Sequence, residues 1–201
     1  PLPGKRCVFI SSAKYIAQLD STVSMIITTE EIYAEMETAG MAALYGFCIT
    51  DSPRDAYFSL LISYEKERGR EKMTETTVGN SSKISETSVI SPFNVSIGNG
   101  VVIEDFVKIY PGVTIEDNAV IQTGAVIGAQ LFNTFYQNGR HTTIPQNGRT
   151  FIGNDVLIGA NSVVAQAMYD YGKTIIESGA KIDANTSISH NDHIGADCKI
   201  C

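Results

Sequence analysis

VSIGNGVVIEDFVKIYPGVTIEDNAVIQTGAVIG, residues 95–128, places an isoleucine at every sixth position: Ile97, Ile103, Ile109, Ile115, Ile121 and Ile127. A helix cannot keep such a stripe on one face, because six is not a multiple of 3.6. A strand alternates at two, so six residues accommodate a short strand and a turn. The series extends backward through Ile90, Ile84 and Val78, with one extra residue around Pro92. It resumes at Ile152, Ile158 and Val164, then at Ile176, Ile182, Ile188, Ile194 and Ile200. Four residues after most anchors stands a small or β-branched side chain, such as Val101, Val107, Ala119, Ala125, Ser162 or Ala180. Gly98-Asn99-Gly100, Glu116-Asp117-Asn118 and Asn154-Asp155 fall where the turns belong. Three units per coil make a triangular parallel β-helix, and the seventeen anchors imply about six coils. A β-sandwich would show uneven spacings of about 8–12 residues and does not fit.

Two stretches interrupt the period: 128–151 (GAQLFNTFYQNGRHTTIPQNGRTF) and 165–175 (AQAMYDYGKTI). Insertions in solenoids project from one side and often carry binding residues. Phe132, Phe135 and Tyr136 within the first would either line a ligand groove or pin the loop onto the β-helix. Residues 77–201 thus form the repeat domain. Residues 1–70 read differently. CVFI, VSMII and LYGFCI look like strands, and each precedes a helical stretch: AKYIAQL, EEIYAEMETA and the run after Ser52-Pro53. Thr28 with Glu31 suggests a capping box, and Ser52 with Pro53 an N-cap and first-turn proline. The alternation predicts a small α/β domain. KERGREKMTET (65–76) has no face to bury and reads as a linker to about residue 76.

Across 201 residues, 43% are hydrophobic and 18% charged, which suits packed cores rather than disorder. The net charge of −7 argues against nucleic acid as a partner, since phosphates call for a basic stripe. No apolar run approaches the roughly 20 residues of a spanning helix, and PLPGKRCVFI lacks a secretory layout. Cys7 and Cys48 read as small core residues. Cys198 and Cys201 form a C-x-x-C without the strand-to-helix context of a redox motif. A reduced, cytoplasmic protein is expected. No His/Cys/Asp/Glu group has metal-ligand spacing, so no metal is expected.

IPQNGRTFIGNDVLIGAN (144–161), followed by KIDANTSISHNDHIG (181–195), resembles the UDP-3-O-acylglucosamine N-acyltransferases of lipid A biosynthesis, within the hexapeptide-repeat acyltransferases. That family pairs an IPQ-x-GR stretch with a later D…AHN stretch. FISSAKY (9–15) is similar to its uridine-binding segment, and the order of parts agrees along nearly the whole chain. The resemblance implies a left-handed coil, whereas the general crossover rule would favour a right-handed one. It implies His190 as general base and Asp183, seven residues earlier, as the group orienting the imidazole. An imidazole ordinarily titrates near neutrality, so it suits an amine that must lose a proton while attacking a thioester. By periodicity alone His190 would be a solvated turn residue. Phe9, Ser12, Tyr15, Gln146 and Asn191 are implied as substrate-binding. Phe9 and Tyr15 would hold the uracil, or would simply be core of a small domain. His193 and His141 have no counterpart.

No cofactor is implied beyond the acyl thioester on acyl carrier protein. Partners would be that carrier, a UDP-amino sugar and two further copies in a homotrimer, working in the cytoplasm or at the inner membrane surface. The chain departs from the family pattern at several places. Ser12-Ala13 replace Asn-Pro, Gly128 to Asn133 replace a glycine-rich run, and Ala165 to Met168 replace a charged loop. Ser189 precedes His190, and Asp192 takes a slot that the repeat reserves for small inward residues, where a carboxylate would be costly unless paired. These departures keep two alternatives open: acetyl- or acyl-CoA acylating another nucleotide-linked amino sugar, or a non-catalytic β-helix that binds nucleotide sugars. The chain stops in mid-repeat at Cys201, and the family runs several coils further, so the sequence is expected to be part of a longer protein.

Overall fold

The computed structural model describes residues 5–67, 73–137 and 139–201. Two compact units divide the chain. One comprises residues 1–69 with 134–144, the other 70–133 with 145–201.

The second unit is a left-handed parallel β-helix with three faces. The first face stacks Thr77–Val78, Val95–Ile97, Val113–Ile115, Arg149–Ile152, Lys173–Ile176 and His193–Ile194. The second stacks Lys83–Ile84, Val102–Ile103, Val120–Ile121, Leu157–Ile158, Lys181–Ile182 and Lys199–Ile200. The third stacks Val89–Ile90, Lys108–Ile109, Val126–Ala129, Val163–Ala165 and Ser187–Ile188. All seventeen anchors therefore take their expected places, one per strand. From Ile97 to Ile188 they are buried in one continuous core, with Val101, Val107, Ala119, Ala125, Val156 and Ala180 filling the corners.

At most corners of the coil a left-handed residue stands three positions after the anchor. Ser81, Gly100, Phe106, Gly112, Asn118, Gly124, Asp155, Asn161, Gly179, Asn185, Asn191 and Asp197 all have positive φ. Glycine, asparagine and aspartate tolerate that region, which explains why these types punctuate the repeat. Between the first and second faces a side-chain ladder satisfies the turn amides. Asn99 Oδ1 accepts from the Asn80 N–H at 2.9 Å, Asp117 Oδ1 from the Asn99 N–H at 2.7 Å, and Asn154 Oδ1 from the Asp117 N–H at 3.1 Å. Ser178 Oγ accepts from the Asn154 N–H at 3.1 Å. At Gly98 a Cβ would stand 2.8 Å from the Asp117 nitrogen one coil on, so the close stacking excludes any side chain there.

The first unit holds a parallel sheet of β1 (Arg6–Ile10), β2 (Val23–Thr28) and β3 (Gly46–Ile49) in the order β1-β2-β3, with α1 (Glu30–Thr38) and α2 (Pro53–Glu67). AKYIAQL forms a 3-10 helix, Ala13–Gln18, rather than an α-helix. Ile10, Val23, Ile26, Ile32 and Met36 make the core. The cap of α1 is Thr29, whose hydroxyl accepts from the Ile32 N–H at 3.5 Å. Thr28 instead donates to the Ile10 carbonyl at 2.9 Å and is buried, so the expected capping box is displaced by one residue. Cys48 is exposed because β3 is an edge strand with an open face, and Cys7 is half-buried, which raises its thiol pKa. Neither is a core residue. The linker reading overlaps residues 68–72, which lie outside the described residues.

The longer interruption contains an antiparallel hairpin, Thr134–Gln137 with Arg140–Thr143. Phe135 is 3% exposed and packs on Phe58 of α2. The aromatic side chain thus packs the hairpin within the first unit. Phe132 is 90% exposed, and Tyr136 lies edge-on to His141.

Candidate functional site

In the β-helix the corner from the third to the first face is where the repeat is interrupted. The chain leaves it after Val126–Ala129 and again after Val163–Ala165, and returns at Arg149–Ile152 and Lys173–Ile176. His190 and Asn191 turn the same corner one coil later, between Ser187–Ile188 and His193–Ile194. Gln146, His190 and Asn191 therefore belong to one stacked corner, although 44 residues separate the first from the second.

Hydrogen bonds tie the corner together. Gln146 is fully buried; its Oε1 accepts from the Leu131 N–H at 2.9 Å, and its carbonyl accepts from Gln130 Nε2 at 3.2 Å and from Gln166 Nε2. The Asn147 and Gly148 N–H groups donate to the carbonyls of Met168 and Ala167. Met168 in turn donates its N–H to Asn191 Oδ1 at 3.0 Å. The Asn191 N–H donates to the buried Thr174 hydroxyl at 2.9 Å, and His190 Nδ1 lies 3.3 Å from Asn191 Oδ1. His190 is half-buried, with one ring edge on this network. Tyr169 and Tyr171, in the same interruption as Met168, stack with centroids 5.3 Å apart.

Asp183 lies at another corner, directly after the second-face anchor Ile182. Its carboxylate accepts from the Ala184 N–H at 2.8 Å, and among the described residues no hydrogen bond joins it to His190. Asp192 is exposed, and its Oδ2 accepts from the Ser189 N–H at 2.9 Å, closing the His190 turn. His193 pairs with Glu177 at 2.7 Å, which, together with the Ala196 N–H, holds the Glu177 carboxyl below its usual range. Among the described residues no group of three or more His, Cys, Asp or Glu is arranged to hold a metal, and no helix is long and apolar enough to cross a membrane.

In the first unit Phe9 sits in an aromatic cluster, 5.3 Å from the Tyr57 ring and 5.8 Å from Phe58, with the Arg54 guanidinium over Phe58 at 5.6 Å. Ser12 precedes the 3-10 helix and accepts the Tyr15 N–H through its carbonyl. Tyr15 is 43% exposed, with the Lys14 ammonium 4.9 Å from its ring centre. Tyr57, Phe58 and Arg54 carry no short motif, so only the three-dimensional packing reveals them.

Two family models match the β-helix: the bacterial transferase hexapeptide (six repeats) over residues 94–129, and the hexapeptide repeat of succinyl-transferase over 149–190. A curated UDP-3-O-acylglucosamine N-acyltransferase of Fusobacterium nucleatum is 34% identical over 222 aligned residues, covering 98% of this chain and 63% of that protein. Its namesake in Hahella chejuensis is 42% identical over 90 residues, or 45% of this chain and 25% of that protein. The chain thus spans less than two thirds of these relatives' own length. A crystal structure of a mutant GDP-perosamine N-acetyl transferase from Caulobacter crescentus matches 98% of this chain and 91% of its own at 18% identity, with a TM-score of 0.23. That likeness is too loose for any residue here to be read from it.

Proposed function

Since the chain belongs to the hexapeptide-repeat transferases and is related over 98% of its length to a UDP-3-O-acylglucosamine N-acyltransferase, we propose that it is all or part of such an N-acyltransferase. In this reading it moves an acyl chain from an acyl-carrier-protein thioester to the amine of a UDP-linked, 3-O-acylated glucosamine, in the assembly of lipid A. The observation that carries the proposal is the single corner joining Gln146, the 165–175 interruption, Asn191 and His190 in one hydrogen-bonded network.

The amine nitrogen attacks the thioester carbonyl carbon, and a C–N bond forms as His190 takes the amine proton. Charge develops on the carbonyl oxygen, where backbone N–H groups of the corner turns are the candidate donors. The tetrahedral adduct then expels the carrier's sulfur, which receives the proton back from the imidazolium. Gln146 supports the substrate-facing turn. In the first unit the Phe9 cluster, Ser12 and Tyr15 hold the uracil, since flat rings suit stacking on a base. The active form is a homotrimer; the outward Val102, Val120 and Leu157 of the second face are half-buried apolar positions suited to meeting another copy. Asp183 enters the site only if a neighbouring copy brings it there.

Turnover of purified protein with UDP-amino sugars tests this reading, using acyl carrier protein and CoA thioesters in parallel. His190→Ala should lower the rate by roughly 10²–10⁴-fold; wild-type turnover in that variant sinks the general-base role. Turnover with acetyl-CoA alone would transfer the activity to a different amino sugar and donor. UDP should protect the amides of residues 7–16 from hydrogen exchange, and no protection would refute the uracil assignment.

A further inference from the structure

An imidazole can serve as a base only through the nitrogen that lacks a proton, so something must choose which nitrogen that is. We infer that Asn191 makes that choice: it is a positioning residue that holds His190 in the Nδ1–H tautomer and leaves Nε2 free to take a proton. The inference rests on His190 being the base, and its experiment is independent of turnover.

The two ends of an asparagine amide are ordinarily hard to tell apart. Here a third group distinguishes them. Met168 offers only a backbone N–H, and it stands 3.0 Å from Asn191 Oδ1, so that atom must be the oxygen. The same Oδ1 lies 3.3 Å from His190 Nδ1. An amide oxygen accepts and cannot donate, so the proton between them belongs to the ring. The opposite tautomer would set two lone pairs against each other across this gap. Nε2 is then the ring atom with the free lone pair.

Asn191 is itself held fast. Its N–H donates to Thr174 Oγ1 at 2.9 Å, and Thr174 is fully buried. Its φ of 65° lies in the left-handed region, where asparagine is among the few tolerated residues with a side chain. A role commonly filled by a carboxylate is here filled by a neutral amide. Because Met168 belongs to the 165–175 interruption, that loop and the ring share one acceptor.

Two substitutions and nitrogen-15 NMR of the histidine rings test the proposal. Wild-type His190 should show the Nδ1–H tautomer. Asn191→Gly, which keeps the left-handed turn, should release it to a tautomer mixture and lower turnover by roughly 10–100-fold. Asn191→Asp retains an accepting oxygen at the same reach and should preserve the tautomer. An Nε2–H tautomer in the wild type overturns the inference, as does an unchanged tautomer in Asn191→Gly or a lost one in Asn191→Asp. If the tautomers behave as stated while His190→Ala stays active, the general-base reading fails and the tautomer assignment stands.

Discussion

Phe58 and Phe135 lie with ring centroids 5.7 Å apart although 77 residues separate them in sequence. The hairpin that interrupts the β-helix thereby completes the core of the first unit, and that unit is discontinuous in the chain. Phe135→Ala should cost the first unit about 3 kcal/mol, as for other buried phenylalanines. Phe132→Ala, at a side chain 90% exposed, should cost under about 0.5 kcal/mol. Chemical denaturation of both variants measures the contrast, and equal costs would contradict the packing.

Gln146 satisfies the Leu131 N–H with its side-chain oxygen in a fully buried setting. Gln146→Leu keeps the volume and removes the acceptor. Leaving that amide unpaired should cost about 1–3 kcal/mol, read as a lower melting temperature. Hydrogen exchange of the Leu131 amide should accelerate as well.

The Glu177 carboxyl is held low first by the hydrogen bond from His193, then by the Ala196 N–H. Its folded value lies below the ordinary 4.5, so the folded state favours the ionised form. The contribution is present above that ordinary value and is lost as pH falls through the lower folded value. The turn at Ala196 should therefore lose exchange protection below about pH 4.5, and Glu177→Gln should abolish this acid dependence. An acid response that survives in Glu177→Gln would place its source elsewhere.

Ile121 is fully buried in the middle of the stack, whereas Val78 in the first coil is 51% exposed. Ile121→Ala should destabilise the β-helix by about 2–5 kcal/mol. Val78→Ala should cost well under about 1 kcal/mol, with denaturant midpoints as the readout.

The stacking of the β-helix was legible because its period is a local property: most anchors lie six residues from the next, and most left-handed corners announce themselves as glycine, asparagine or aspartate. The corner residues themselves are less obvious. Phe106 holds a φ of 58° with no sequence signal to mark it. The cap of α1 was misread by one residue because Thr28 and Thr29 offer the same hydroxyl, and only the burial of Thr28 assigns it to the sheet. Asp192 takes an inward slot by its place in the hexad, yet its carboxylate closes the turn by accepting from the Ser189 N–H. His190 and Asn191 could be singled out by resemblance. The acceptor that Asn191 offers to both Met168 and the ring depends on a 23-residue separation that no period encodes. The aromatic set around Phe9 was half visible, since Tyr57 and Phe58 lie on a helix whose apolar residues could face anything.

Strands in the β-helix pair only with their counterparts one coil away, and in the early coils the offset is uniform: Val95 pairs with Val113, Val102 with Val120, and Lys108 with Val126. Length in this part of the molecule is therefore quantised. Excising residues 95–112 would bring Val113 to follow Asn94 with all three faces still in phase. Losing one residue more or fewer would displace every later isoleucine from the axis, unless a corner loop absorbed the error. Changes of length should accordingly be tolerated as whole turns anywhere along the axis, and as odd numbers only at the corner that already carries the two interruptions.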